Sequence, residues 1–90
     1  MKNWNLNSKM LNQAMYSLCD LETFIAIVEN QGVVAAAKAQ GLSPATVSHR
    51  LSKLEKALST VLLFRDSRRI RLSPAGELFY QRAGAILEAL

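Results

Sequence analysis

The chain of 90 residues has one cysteine, Cys19, and one histidine, His49. A single cysteine excludes an internal disulfide and any paired-cysteine metal motif, and a single histidine excludes a histidine cluster for a metal ion. Cys19 is expected to be a small, partly buried apolar residue in a reducing compartment. No stretch of ~18 apolar residues is present that could span a bilayer, and the first 14 residues, with four asparagines and two lysines, lack the apolar run of a secretion signal. We therefore expect a soluble, cytoplasmic chain. Glycine-rich phosphate loops are also missing, and Ser48-His49, the one adjacent hydroxyl and imidazole, point about 100° apart on a helix. These absences argue against an enzyme and against a cofactor.

Only two prolines occur, Pro44 and Pro74, and each follows a serine. Serine is a strong N-cap, and proline suits the first helical position because its missing N–H had no partner there anyway. Helices are thus expected to start at 44 and 74. After Pro44 the apolar residues Val47, Leu51, Leu54 and Leu58 follow a 4, 3, 4 spacing, which draws one buried stripe over a helix 44–58. Upstream, Leu18, Leu21, Phe24, Ile25 and Val28 fit a helix 18–30 that ends near Gly32. The alanine-rich "VVAAAKAQ" (33–40) fits a second, short helix, with Gly41 placed for its left-handed end. Helices 33–40 and 44–58 are then joined by three residues, Gly41-Leu42-Ser43, which is helix-turn-helix spacing.

"VLLFRDSRRIRLS" (61–73) reads as a hairpin, with Ile70 and Leu72 facing in and Arg69 and Arg71 facing out. A basic hairpin directly after a helix-turn-helix suggests a wing. In the last helix Phe79, Ala83, Ile86 and Leu90 repeat the 4, 3, 4 spacing. With Leu87 they form a seam that suits either a second chain or the domain's own core. The chain stops inside this helix without a cap signal, as a piece of something longer would.

Charge is distributed unevenly. Ser17–Gln31 holds three acids and no base, whereas His49–Arg71 holds seven bases against two acids. That local excess is a candidate nucleic-acid footprint. Opposite the leucine stripe of helix 44–58 lie Ala45, Thr46, Ser48, His49, Arg50, Ser52, Lys53 and Lys56. Small residues at the leading turn permit close approach to a major groove, and hydroxyls and imidazole bond base edges or phosphates. Lys53 and Lys56, further along, suit phosphate neutralisation. Arg65, Arg68 and Arg69 place cations on the wing, where they suit the backbone or a narrow minor groove.

The segments "LETFIAIVENQG", "AAAKAQGLSPATVSHRLSKLEKAL" and "LLFRDSRRIRLSPAG" resemble the N-terminal DNA-binding domain of LysR-type transcriptional regulators. The resemblance covers about 18–90. It rests on Ala36-Ala37, Ser43, Val47-Ser48-His49, Leu51, Leu54-Glu55, Leu58, Arg65 and Leu72-Ser73-Pro74-Ala75-Gly76. It implies a mainly α fold: a winged helix-turn-helix over 17–73, of three helices plus a two-stranded β wing, then a dimerising linker helix from 74–90. Residues 1–16 are an extra N-terminal arm, expected to be disordered.

The implied function is sequence-specific binding of double-stranded DNA for transcription regulation, with helix 44–58 in the major groove and wing 65–71 on the backbone or minor groove. Ser43, Pro44, Ala45, Thr46, Ser48, His49, Arg50, Lys53, Arg65, Arg68 and Arg69 form the expected DNA-binding set. Phe79, Ala83, Ile86, Leu87 and Leu90 form the expected homodimer contact. A small-molecule co-inducer is implied only for a C-terminal effector domain, which is absent here. The sequence departs from the family at Gly32 (usually Ser), Gln40 (usually Leu), His49 (more often Arg) and Ser59 (usually Gly). Two other readings stay open, a winged-helix protein-interaction module and the domain of a molybdate-responsive regulator.

Overall fold

The computed structural model describes residues 16–65 and 69–89. Among the described residues four helices and a hairpin follow in the order α1 (Leu18–Asn30), α2 (Val33–Gln40), α3 (Pro44–Leu58), β1 (Leu63–Arg65), β2 (Ile70–Leu72) and α4 (Pro74–Glu88). The helix starts are where the caps predict them. Ser43 accepts a hydrogen bond from the Thr46 N–H at 3.1 Å, and Ser73 accepts one from the Gly76 N–H at 2.9 Å. At the start of α1 the Asp20 carboxylate accepts the Ser17 N–H at 2.9 Å.

The first three helices end on a left-handed residue: Gln31 (φ 59°), Gly41 (φ 69°) and Ser59 (φ 53°). The residue after each returns its N–H to a carbonyl five positions back, as in Leu42 to Ala37 at 2.9 Å. α1 spans the expected 18–30, with Gln31 in the left-handed position and Gly32 extended at φ 165°.

α1, α2 and α3 pack on one another, and α4 closes the core from the far side of α1. Phe24 of α1 meets Phe79 of α4 at 5.6 Å between ring centroids and Tyr80 at 6.4 Å. Val47, Leu51 and Leu54 are buried as the stripe predicts. Burial of such side chains contributes about 1.5–3 kcal/mol each.

The α1 stripe is only partly as expected. Leu21, Phe24 and Ile27 are fully buried, Ile25 and Val28 are half-buried, and Leu18 is exposed. Because α1 is covered on two sides, its buried arc is wider than one stripe and takes in Thr23 and Asp20. Cys19, expected partly buried, lies on the open side and is exposed.

Tyr16, assigned above to the arm, belongs to the core. Its hydroxyl has no partner among the described residues, and burial raises its pKa above the ordinary tyrosine value. The rest of the arm, residues 1–15, lies outside the described residues.

The hairpin is antiparallel, with Leu63 opposite Leu72, Phe64 opposite Arg71 and Arg65 opposite Ile70. Ile70 and Leu72 are half-buried and Arg69 and Arg71 exposed, in the predicted alternation.

The seam on α4 divides. Phe79 and Ala83 point into the core of their own chain, where Phe79 stacks on Phe24, so neither is available to a second chain. Ile86 and Leu87 are half-buried, and Leu90 lies outside the described residues. Of the 4, 3, 4 seam, Phe79 and Ala83 are used internally.

Candidate nucleic-acid interface

α3 presents its polar side away from the core because the leucine stripe fixes its rotation. The outermost line is Ala45, His49, Ser52 and Lys56, all exposed and spaced 4, 3, 4. Ser43 and Pro44 are exposed at the leading end. The Ser43 and Thr46 hydroxyls lie 2.9 Å apart, so the first turn already uses part of its hydroxyl capacity. Ser48 and Thr46 are half-buried, on the shoulders of the face.

Arg50 and Lys53 of the expected set are engaged within the domain. Arg50 is half-buried, and its Nη1 donates to Thr23 Oγ1 at 3.3 Å. Thr23 in turn donates to Gln40 Oε1 at 3.1 Å. One buried hydroxyl thereby links α1, α2 and α3, and Gln40 occupies a place where a leucine could not accept that bond. Lys53 Nζ lies 3.2 Å from Asp20 Oδ2. Arg50 and Lys53 thus sit on the flank of α3 that leans towards α1, beside the outermost line and not on it.

The wing is anchored to the same helix. Glu55, on the inner shoulder of α3, accepts the N–H of Leu62 at 2.7 Å and of Leu63 at 3.2 Å through one oxygen. Ser73 donates its hydroxyl to the Val61 carbonyl at 2.5 Å, and its N–H goes to the Leu62 carbonyl at 2.9 Å. Both strands of the wing are therefore fixed at their root. Arg65, Arg69 and Arg71 are exposed, with Arg71 Cζ 5.7 Å from the centre of the Phe64 ring. Arg68 lies outside the described residues.

The sequence pointed to the face but missed its supports. Asp20, Thr23, Glu55 and Ser73 position the interface without lying on it. The S-x-x-D pattern at 17–20 was the available signal for Asp20 as a cap, though nothing in it reveals a lysine on another helix. Among the described residues no group of three or more histidine, cysteine or acidic side chains is placed to hold a metal ion.

A mostly helical domain with a helix-turn-helix and a basic hairpin wing is the architecture of a winged-helix DNA-binding domain. The family model for bacterial regulatory helix-turn-helix proteins of the lysR family matches residues 18–77, and the chain belongs to that family. It is 43% identical over 72 residues to the probable HTH-type transcriptional regulator LtrA of Klebsiella pneumoniae, covering 80% of this chain and 23% of that protein. It is 41% identical over 71 residues to the HTH-type transcriptional regulator DmlR of Escherichia coli (strain K12), covering 79% and 23%. The chain thus spans less than a quarter of the length of these relatives. Among solved structures it resembles the DNA-binding domain of CbnR in its DNA complex, with a TM-score of 0.79, 37% identity and coverage of 81% of this chain and 84% of that one. The BenM DNA-binding domain in complex with benA site 1 DNA gives 0.78, 34%, 81% and 82%.

Proposed function

We propose that this chain binds double-stranded DNA as the DNA-binding domain of a LysR-type transcriptional regulator. α3 enters the major groove along Ala45, His49, Ser52 and Lys56, and the wing arginines lie on the backbone or in the minor groove. The observation that carries this reading is the rotation of α3: Val47, Leu51 and Leu54 of its apolar stripe are buried and Leu58 is half-buried, so its small leading residues and Lys56 face outwards beside an arginine-bearing hairpin. The CbnR and BenM domains that the chain resembles were solved bound to DNA.

Homodimerisation belongs to the same reading, through the parts of α4 that lie outside the core. Leu78 is 53% exposed, and Ala75 and Ala85 are exposed with it. In a longer protein a co-inducer would act through a further domain outside this chain. No described helix is long and apolar enough to cross a membrane.

Fluorescence anisotropy on a random-sequence duplex across a salt series tests the reading. Binding should weaken steeply with salt, and Lys56→Gln should flatten the slope of log K against log salt by about 0.9. His49→Ala should change the sequences enriched from a random pool. A chain that shows no salt-dependent binding to any duplex refutes the proposal. Charge reversal at Arg69 and Arg71 should weaken duplex binding, whereas a protein-interaction module would keep its function after the same change.

A further inference from the structure

α3 carries three cations on or beside its outer side, and the fold treats each differently. Lys56 is exposed, with no carboxylate partner among the described residues. Arg50 is turned to Thr23. Lys53 is held by Asp20, whose side chain is 2% exposed while that of Lys53 is 44% exposed. The pair therefore joins a fixed, buried anion to a cation at the edge of the surface.

α1 secures the anion independently of the lysine. Asp20 is the third residue of α1, where unpaired N–H groups and the helix dipole favour negative charge, and its Oδ2 accepts the Ser17 N–H as well as facing Lys53. The lysine, by contrast, has a long flexible stem. It lies one turn beyond His49, so its ammonium could swing from Asp20 towards a phosphate beside the outer face.

We propose that Asp20 sets how tightly the domain holds any duplex by withholding Lys53 from the phosphate backbone. The proposal rests on the DNA-binding reading of α3. Phosphate contacts add affinity whatever the sequence, and each adds its own increment of salt dependence. A cation engaged by a buried carboxylate adds neither until the pair is broken. Asp20 is then a positioning residue for the interface, acting on DNA only through Lys53.

The test uses the 90-residue chain and a random-sequence duplex. Asp20→Asn keeps an acceptor for the Ser17 N–H and removes the charge. It should steepen the salt slope by about 0.9 and tighten binding several-fold at ~0.1 M salt. Lys53→Gln in the parent should leave the slope unchanged, and the double variant should return to the parent's slope. A slope unaltered by Asp20→Asn, or flattened by about 0.9 in Lys53→Gln, overturns the proposal.

A readout without substitutions guards against variants that unfold. With lysines dimethylated using a ¹³C reagent, adding duplex to the parent should move the Lys56 resonance and leave that of Lys53 in place. Equal movement of both shows that Lys53 already meets phosphate and overturns the proposal. Failure of the DNA-binding reading is recognised separately, because the parent then shows no salt-dependent binding before any variant is made.

Discussion

At position 76 a side chain has nowhere to go. A Cβ built there would stand 2.0 Å from the Leu62 carbonyl oxygen, the same oxygen that accepts the Ser73 N–H. Gly84, in the same helix, has nothing within 4 Å of its added Cβ. Replacing glycine by alanine within a helix ordinarily stabilises by about 0.5–1 kcal/mol. Gly84→Ala should follow that rule, and Gly76→Ala should destabilise by about 3 kcal/mol as α4 is pushed off the root of the wing. Thermal unfolding of the two variants checks this, and similar midpoints would show that the close approach at Leu62 is unimportant. Ser59 offers the opposite opportunity. It holds φ 53° where the family usually has glycine, so Ser59→Gly should raise stability by about 0.5–1 kcal/mol in a urea titration. The left-handed role of Ser59 was legible from the resemblance, which puts a glycine at that position. The role of Gly76 in clearing a carbonyl was not, because the oxygen it avoids lies across the wing.

The bounds of α3 and α4 were readable because serine, proline and apolar spacing agree on them. The hairpin was readable because β-branched and basic residues alternate around a polar turn. The attachment between elements was hidden. Nothing around Glu55 in the sequence says that it bonds Leu62 and Leu63 instead of facing water. The geometry makes it the acceptor for two backbone donors at residues whose side chains are buried. Glu55→Ala should therefore destabilise the domain by about 2–3 kcal/mol. It should also speed amide exchange at Leu62 and Leu63 more than at the centre of α1. Unchanged protection of those two amides would refute the anchoring role. The paired cations were hidden for the same reason. Charge counts place Lys53 and Arg50 on a basic face, whereas the fold brings Asp20 and Thr23 against them from another helix.

At the scale of the molecule the core reaches further along the chain than the winged helix-turn-helix alone, because α4 contributes Phe79 and Ala83 to it. Phe79→Ala should cost about 3–4 kcal/mol of stability. Any dimer of the protein should be lost only to the extent that the domain unfolds. Sedimentation alongside circular dichroism separates these outcomes: a folded variant that has become monomeric would return Phe79 to an intermolecular seam. Periodicity could not decide between the two, since a stripe of this length is equally suited to a partner helix and to the domain's own α1.

The recognition helix and the wing share one root. Glu55 on α3 grips the start of β1, while Ser73 at the end of β2 grips Val61 and Leu62. The distance from the tip of α3 to the wing is therefore fixed by short bonds and not by a pliant linker. In the proposed complex with a duplex the two prongs would act as a caliper. Sites whose local groove spacing fits its opening would bind without distortion, and others would be bent or widened at an energetic cost that depends on their stiffness. Sequence would then be sensed at steps that no side chain touches, through the mechanics of the DNA itself.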